Sequence, residues 1–263
     1  MLTWLENAIF YEIYPTSFFD SDGDGVGDLR GITEKVGYLK NLGVTAVWLN
    51  PIYKSPFQDG GYDVEDYYAV DPKFGDMQDL DKLIKVFHDN GIKVVLDLVI
   101  GHTSVKHKWF TESAKGQRNE YSDYYIWTNS VFDDYPNMII GLFERDGGYM
   151  KNYYASQAAL NYGFNQTDEK HGWMMRYDDE RLRPLREAVL NVMRFYLDKG
   201  VDGFRVDMAS SLVKNGEKFN ADKPFDDSDK GLEGIRWLWN KILGTLRREY
   251  RDKVYIAEWV EPQ

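Results

Sequence analysis

Short apolar runs alternate with stretches of helical period along most of the chain. Ile9–Ile13, Ala46–Leu49, Lys93–Val99 and Gly203–Val206 read as buried strands, and Val254–Ala257 as a fifth. Between them, Ile32, Val36, Leu39 and Leu42 repeat at three and four, with Gly43 as a stop, which predicts one helix. Leu80, Leu83, Ile84 and Phe87 predict a second helix that ends at Asn90-Gly91. Pro184 opens a third, continued by Leu185, Val189, Val192 and Tyr196 to Gly200. Ile235, Leu238, Ile242 and Leu246 mark the last. Strand–helix alternation of this kind predicts an α/β fold on a parallel sheet.

The spacing breaks once. Roughly 100 residues separate the third strand from the fourth, and the part from about 101 to 170 is rich in Tyr, Asn, Asp and Gly with weak periodicity. A structureless loop of that length is improbable, so the segment predicts an inserted subdomain. Lys214–Lys230 reads as a second, smaller polar insertion.

Composition narrows the function. Asp and Glu number 43 against 32 Lys and Arg, a net charge of −11, which argues against nucleic acid as the main ligand. No run approaches the roughly 20 apolar residues of a membrane span. The start has no basic n-region, and a cytoplasmic location is favoured on that ground, although the absence of cysteine does not fix the compartment. Aromatic residues make up 16% of the chain; rings that stack on sugar faces, beside carboxylates that bind hydroxyls, lean towards carbohydrate. Most single rings are nonetheless expected in the core.

In parallel α/β folds, active sites lie beyond the C-terminal strand ends. Asn50 and Ser55–Asp63 follow the second strand, Asp97 and His102 the third, Arg205 and Asp207 the fourth, and Glu258 the fifth. Arg205 and Asp207 share a strand face, and a guanidinium there would keep a carboxylate ionised, as a nucleophile requires. Glu258, between an apolar strand and Trp259, is placed for a general acid whose pKa partial burial would raise. Such a pair is the apparatus of a retaining glycosidase. An internal ion pair of Arg205 with Asp207 and a partner accounts for the same spacing equally well.

The motifs Tyr11-Glu-Ile-Tyr-Pro15, Gly60-Gly-Tyr-Asp-Val64, Asp97-Leu-Val-Ile-Gly-His102, Gly203-Phe-Arg-Val-Asp207 and Ile256-Ala-Glu258 resemble those of the α-amylase superfamily of glycoside hydrolases. The resemblance implies a (β/α)₈ TIM barrel of which the first five strand–helix units are present. The first part of the barrel would be residues 1–101, the inserted domain 102–170 and the continuing barrel 171–263. It further implies Asp207 as nucleophile, Glu258 as general acid/base and Arg205 as the residue that orients the nucleophile. His102 and Tyr62 would hold one sugar, Asp97 would be a structural carboxylate at the base of the site, and Asp59 would contact a non-reducing end. The implied reaction is double displacement on α-glucosidic bonds of malto- or isomalto-oligosaccharides. A non-catalytic relative, such as a transporter heavy-chain ectodomain, or a carbohydrate-binding module are the alternatives.

Asp20-Ser-Asp-Gly-Asp-Gly-Val-Gly-Asp28 places carboxylates at alternate positions among glycines, a pattern that wraps an oxygen-loving cation. The twelfth position is Gly31 rather than Glu, so it is not an EF-hand. Relatives of the oligo-glucosidase and neopullulanase type imply Ca²⁺ or Mg²⁺ here, on Asp20, Asp22, Asp24, the Val26 carbonyl and Asp28; a solvated acidic turn is the alternative.

Three departures from the family pattern stand out. Gly101 replaces the usual Asn ligand of an interdomain calcium, which predicts that this calcium site is missing. Ser211 replaces a common His on the leaving-group side. The family's last motif, a His-Asp pair near the seventh strand, does not occur before Gln263. The expectation is therefore a fragment without strands six to eight or the C-terminal β-domain, inactive or nearly so alone. Its open sheet edges would be covered by self-association or by a C-terminal partner chain.

Overall fold

The computed structural model describes residues 4–215 and 232–259. The backbone falls into two compact units. The first comprises Met1–Leu98, Val192–Val206 and Tyr250–Ile256; the second comprises Val99–Asn191, Asp207–Glu249 and Ala257–Gln263.

The first unit carries a five-stranded sheet in the order β1 (Phe10–Ile13), β2 (Ala46–Leu49), β3 (Lys93–Leu98), β4 (Gly203–Val206), β5 (Val254–Ala257). Strands β1 to β4 pair in parallel, with Phe10 opposite Ala46, Ala46 opposite Lys93 and Gly203 opposite Val95. Chain order and spatial order coincide, as in the first five strand–helix units of a TIM barrel. The five predicted strands are all present. Val47, Leu49, Val94, Leu96, Leu98 and Phe204 are almost wholly buried, which explains their unbroken apolar runs. Gly203 is required by close approach: a Cβ there would lie 2.0 Å from the Val254 carbonyl oxygen on β5.

Helices α1 (Leu29–Glu34) and α2 (Val36–Asn41) replace the single predicted helix. The Lys35 N–H is shared between the Gly31 and Ile32 carbonyls at 3.2 and 3.1 Å, and this bifurcation bends the chain without freeing it. Periodicity alone does not register such a bend, because the apolar spacing runs through it. Helix α3 (Met77–Asp89) starts at a capping box of Asp76 and Asp79 and buries Leu80, Leu83, Ile84 and Phe87. Each of these side chains contributes about 1.5–3 kcal/mol. Helix α4 (Arg183–Asp198) follows, as Pro184 predicted.

The second unit holds α5 (Glu233–Glu249) and the whole of the insertion predicted at about 101–170. The insertion is built from short antiparallel pairs, His102–Ser104 with Gln157–Ala159 and Met138–Ile139 with Tyr149–Met150. Phe110, Trp127, Phe143 and Tyr149 pack ring on ring between them. Much of the aromatic content is therefore core, including the fully buried Tyr53, Tyr67, Tyr125, Tyr162 and Tyr196. From residue 216 to Lys230, the expected second insertion lies outside the described residues. No described helix is long and apolar enough to cross a membrane.

Candidate active site

Within the first unit, the polar residues at the strand ends form one network. Arg205 on β4 stands opposite Asp97 on β3, and its Nη1 donates to both Asp97 oxygens at 2.9 and 3.2 Å. Asp97 is thus a partner in the buried ion pair that the sequence allowed for Arg205 with Asp207 and a third group. Asp97 also accepts from Trp48 Nε1 at 3.2 Å and from the Tyr62 hydroxyl at 3.0 Å. Burial pushes the Asp97 carboxyl up to about 6, against the pull of Arg205 and of the Tyr62 and Trp48 donors. The Tyr62 hydroxyl is raised chiefly by burial and then by the Asp97 charge, so it stays a donor. It accepts in turn from Asn50 Nδ2 at 2.9 Å. The Arg205 guanidinium lies 4.9 Å from the Trp48 ring centroid.

The Ser55–Asp63 loop is held by one wholly buried carboxylate. Asp63 accepts from Ser55 Oγ at 2.9 Å, from Gln58 N–H at 2.9 Å and from Asp59 N–H at 3.1 Å. Gly60 and Gly61, at φ 58° and 103°, make the turn that carries Asp59 and Tyr62. Trp48 and Asn50 were given no role from the sequence. Trp48 stands within an unbroken apolar run, so its spacing did not mark it.

The second unit holds the other candidates. Asp207 is 7% exposed and Glu258 is half-buried. They are linked through Met208, whose N–H donates to Glu258 Oε2 at 2.8 Å, while Ala209 N–H donates to the Glu258 carbonyl at 3.1 Å. Met208 achieves this at φ 46°, in the left-handed region, directly after Asp207. Trp239 Nε1 on α5 donates to the Ala209 carbonyl at 3.0 Å and fixes the turn. Sequence reasoning gave Met208 no function, because its contribution is its backbone.

His102 is 2% exposed, with Nδ1 3.0 Å from Asn152 Nδ2. The orientation of that amide is determined by its other partners. Nδ2 reaches the Gly101 carbonyl, which can only accept, at 3.1 Å; Oδ1 faces the Lys214 ammonium, which can only donate, at 3.2 Å. Nδ1 of His102 therefore accepts, and the ring proton sits on Nε2. Burial lowers the Lys214 ammonium to about 8. At Gly101, where the family pattern has Asn, an added Cβ would meet Asn152 Nδ2 at 3.3 Å and Leu212 Cδ2 at 3.6 Å.

In the acidic loop, carboxylate oxygens of Asp20, Asp22 and Asp28 lie within 4.8 Å of one another, and Asp24 stands outside this group. The Asp20 carboxyl is held below its ordinary value by the Gly25, Gly23, Asp22 and Asp24 N–H groups. Asp24 accepts from Val26 N–H at 2.8 Å, and Asp28 caps α1 through Gly31 N–H at 2.7 Å. An all-oxygen, charged donor set of this kind fits Ca²⁺ or Mg²⁺.

A parallel sheet whose chain order and spatial order coincide, with a polar network at its strand ends, is the arrangement of a (β/α)-barrel catalytic domain. Residues 12–260 match the model of the alpha amylase catalytic domain, and the chain belongs to that family. It is 42% identical to an oligo-1,6-glucosidase of Parageobacillus thermoglucosidasius over 95% of this chain and 43% of that protein. It is 40% identical to an alpha-glucosidase of Candida albicans over 86% of this chain and 39% of that protein. Among solved structures, Bacillus licheniformis trehalose-6-phosphate hydrolase superposes with a TM-score of 0.80 at 33% identity, over the whole of this chain and 46% of that one. Isomaltulose synthase from Erwinia rhapontici superposes with a TM-score of 0.82 at 31% identity, over 98% of this chain and 45% of that one. The chain thus spans less than half the length of these relatives.

Proposed function

We propose that the whole protein is a retaining α-glycosidase acting on α-glucosidic bonds of malto- or isomalto-oligosaccharides. The observation that carries this reading is the hydrogen bond from Met208 N–H to Glu258 Oε2, which ties the acid/base to the residue after the nucleophile. Asp207 attacks the anomeric carbon while Glu258 gives its proton to the departing glycosidic oxygen. A β-glucosyl ester on Asp207 results. Glu258, now a carboxylate, takes a proton from water or a second sugar hydroxyl, whose oxygen displaces Asp207 with overall retention. By the family resemblance, His102 and Tyr62 would each bind sugar, Asp59 would bind a non-reducing end, and Asp97 would fix Arg205. The names of the relatives support the substrate class.

We further propose that Ca²⁺ or Mg²⁺ is held by Asp20, Asp22, Asp24, the Val26 carbonyl and Asp28, where it would order the loop and take no part in bond cleavage. For the catalytic assignment, Asp207→Asn and Glu258→Gln in the whole protein should each lower kcat by at least about 10³-fold with little change in melting temperature. Azide should restore turnover in Glu258→Gln and release an α-glucosyl azide, because it displaces Asp207 from the β-glucosyl ester with inversion. NMR of the first-formed sugar should show the α-anomer; a β-anomer would mean inversion and rule out the double displacement.

A further inference from the structure

The inserted region carries a second constellation, far in sequence from every catalytic candidate. Oxygens of Asp133 and Asp134 and a nitrogen of His171 lie within 4.8 Å of one another. The His171 side chain is only 5% exposed and is packed against the rings of Tyr135 and Trp173, with centroids 5.2 and 5.8 Å away. Its Nδ1 is 2.8 Å from Asp168 Oδ2, a carboxylate that can only accept, so Nδ1 carries a proton. The other nitrogen, Nε2, is buried and makes no hydrogen bond. It faces Asp134 Oδ1 at 3.5 Å and Asp133 Oδ1 at 3.8 Å. A bare lone pair there would face two carboxylates, which is repulsive, so this nitrogen must hold a cation, either a proton or a metal ion.

These separations are long for an N–H···O bond, whose usual range is about 2.7–3.2 Å. They are close to what a shared ion demands. Two ligands each about 2.1 Å from a tetrahedral centre stand about 3.4 Å apart. The supports of a metal site are also present. Asp168 on the far nitrogen makes a carboxylate–histidine pair that orients the ring, and Trp173 Nε1 donates to Asp133 Oδ2 at 2.7 Å. Lys170 bonds both Asp134 oxygens at 2.7 Å, but it is 61% exposed and free to swing towards solvent.

We propose that Asp133, Asp134 and His171 bind a divalent transition-metal ion of the Zn²⁺ class, with water completing its coordination. One imidazole with two carboxylates selects such an ion over Ca²⁺ or Mg²⁺, in contrast to the all-oxygen Asp20–Asp28 loop. The ion would join the segment carrying Asp133 and Asp134 to the segment carrying His171. The proposal stands independently of the glycosidase reading.

Metal-free full chain titrated calorimetrically with Zn²⁺ tests it. Asp22→Ala serves as background to remove the acidic loop's contribution. One equivalent should bind, and the melting temperature should rise by about 5 °C or more. Ca²⁺ should not compete. His171→Gln should weaken binding by more than the 10–100-fold that loss of a metal's outer-shell partner costs. If His171→Gln fails to fold, the exposed-side variant Asp134→Asn carries the same expectation. No Zn²⁺ uptake at millimolar concentration, or uptake unchanged in these variants, overturns the site.

Discussion

At the residue scale, the most consequential feature is a backbone angle. Met208 sits at φ 46°, and in that conformation its N–H donates to Glu258 Oε2. A non-glycine residue in the left-handed region costs about 1 kcal/mol or more, and a β-branched residue costs more again. Met208→Val should therefore lose about 1–2 kcal/mol, and Met208→Gly should lose less despite its smaller side chain. Urea denaturation of both variants measures this, and the reverse order would remove strain from the account. The sequence showed Asp207 and Glu258 as separate strand-end carboxyls; it held no sign that Met208 joins them.

Asp202 is a second single-residue keystone. It is buried between His88 Nε2 at 2.6 Å, the Val94 N–H at 2.9 Å and Lys93 Nζ at 3.0 Å. Burial opposes its charge, but His88, the Val94 N–H and Lys93 outweigh it and hold the carboxyl below its ordinary value. The folded state thus binds fewer protons here than the unfolded chain. The stabilisation is present above the unfolded value, about 4, and is lost as pH falls through the folded one. Asp202→Asn should cost about 2 kcal/mol at pH 7, shrinking at pH 3. Equal losses at the two pH values would show that the charge is not what stabilises.

At the scale of elements, strands were easier to read than helices. The central strands β2 to β4 are mostly apolar and buried, which leaves little choice of side-chain type, whereas β1 and β5 are only partly buried and Glu12 on β1 is exposed. The bend at Lys35 was invisible because it alters hydrogen bonding without altering apolar spacing. The Asp20–Asp28 loop was recognised from its alternating carboxylates, and the folded loop turns the Asp20, Asp22 and Asp28 oxygens towards one another. A bound cation would relieve their mutual repulsion. Added Ca²⁺ should accordingly raise the melting temperature of the metal-free wild-type chain and leave that of metal-free Asp22→Ala unmoved. Should Asp22→Ala keep both metal content and melting temperature, the loop is a solvated turn.

At the scale of the whole molecule, the sequence determined the family, the order of the strands and the identity of the strand-end residues. These rest on local information: a strand run, a helical period, a glycine turn or a short motif is complete within a few consecutive positions. The tertiary structure decided which of those residues meet. Arg205 finds Asp97 across 108 positions of chain because β3 and β4 pair in register. Asn152, which lies in none of the motifs, reaches His102 across 50 and fixes its tautomer. His171 likewise comes to face Asp133 and Asp134 from nearly 40 residues away. Such encounters depend on register and on which face a side chain takes, and one residue of slip would undo them. Hydrogen-bond geometry, burial and the charge states that follow from them are properties of the packed chain, so they became readable only once it was folded.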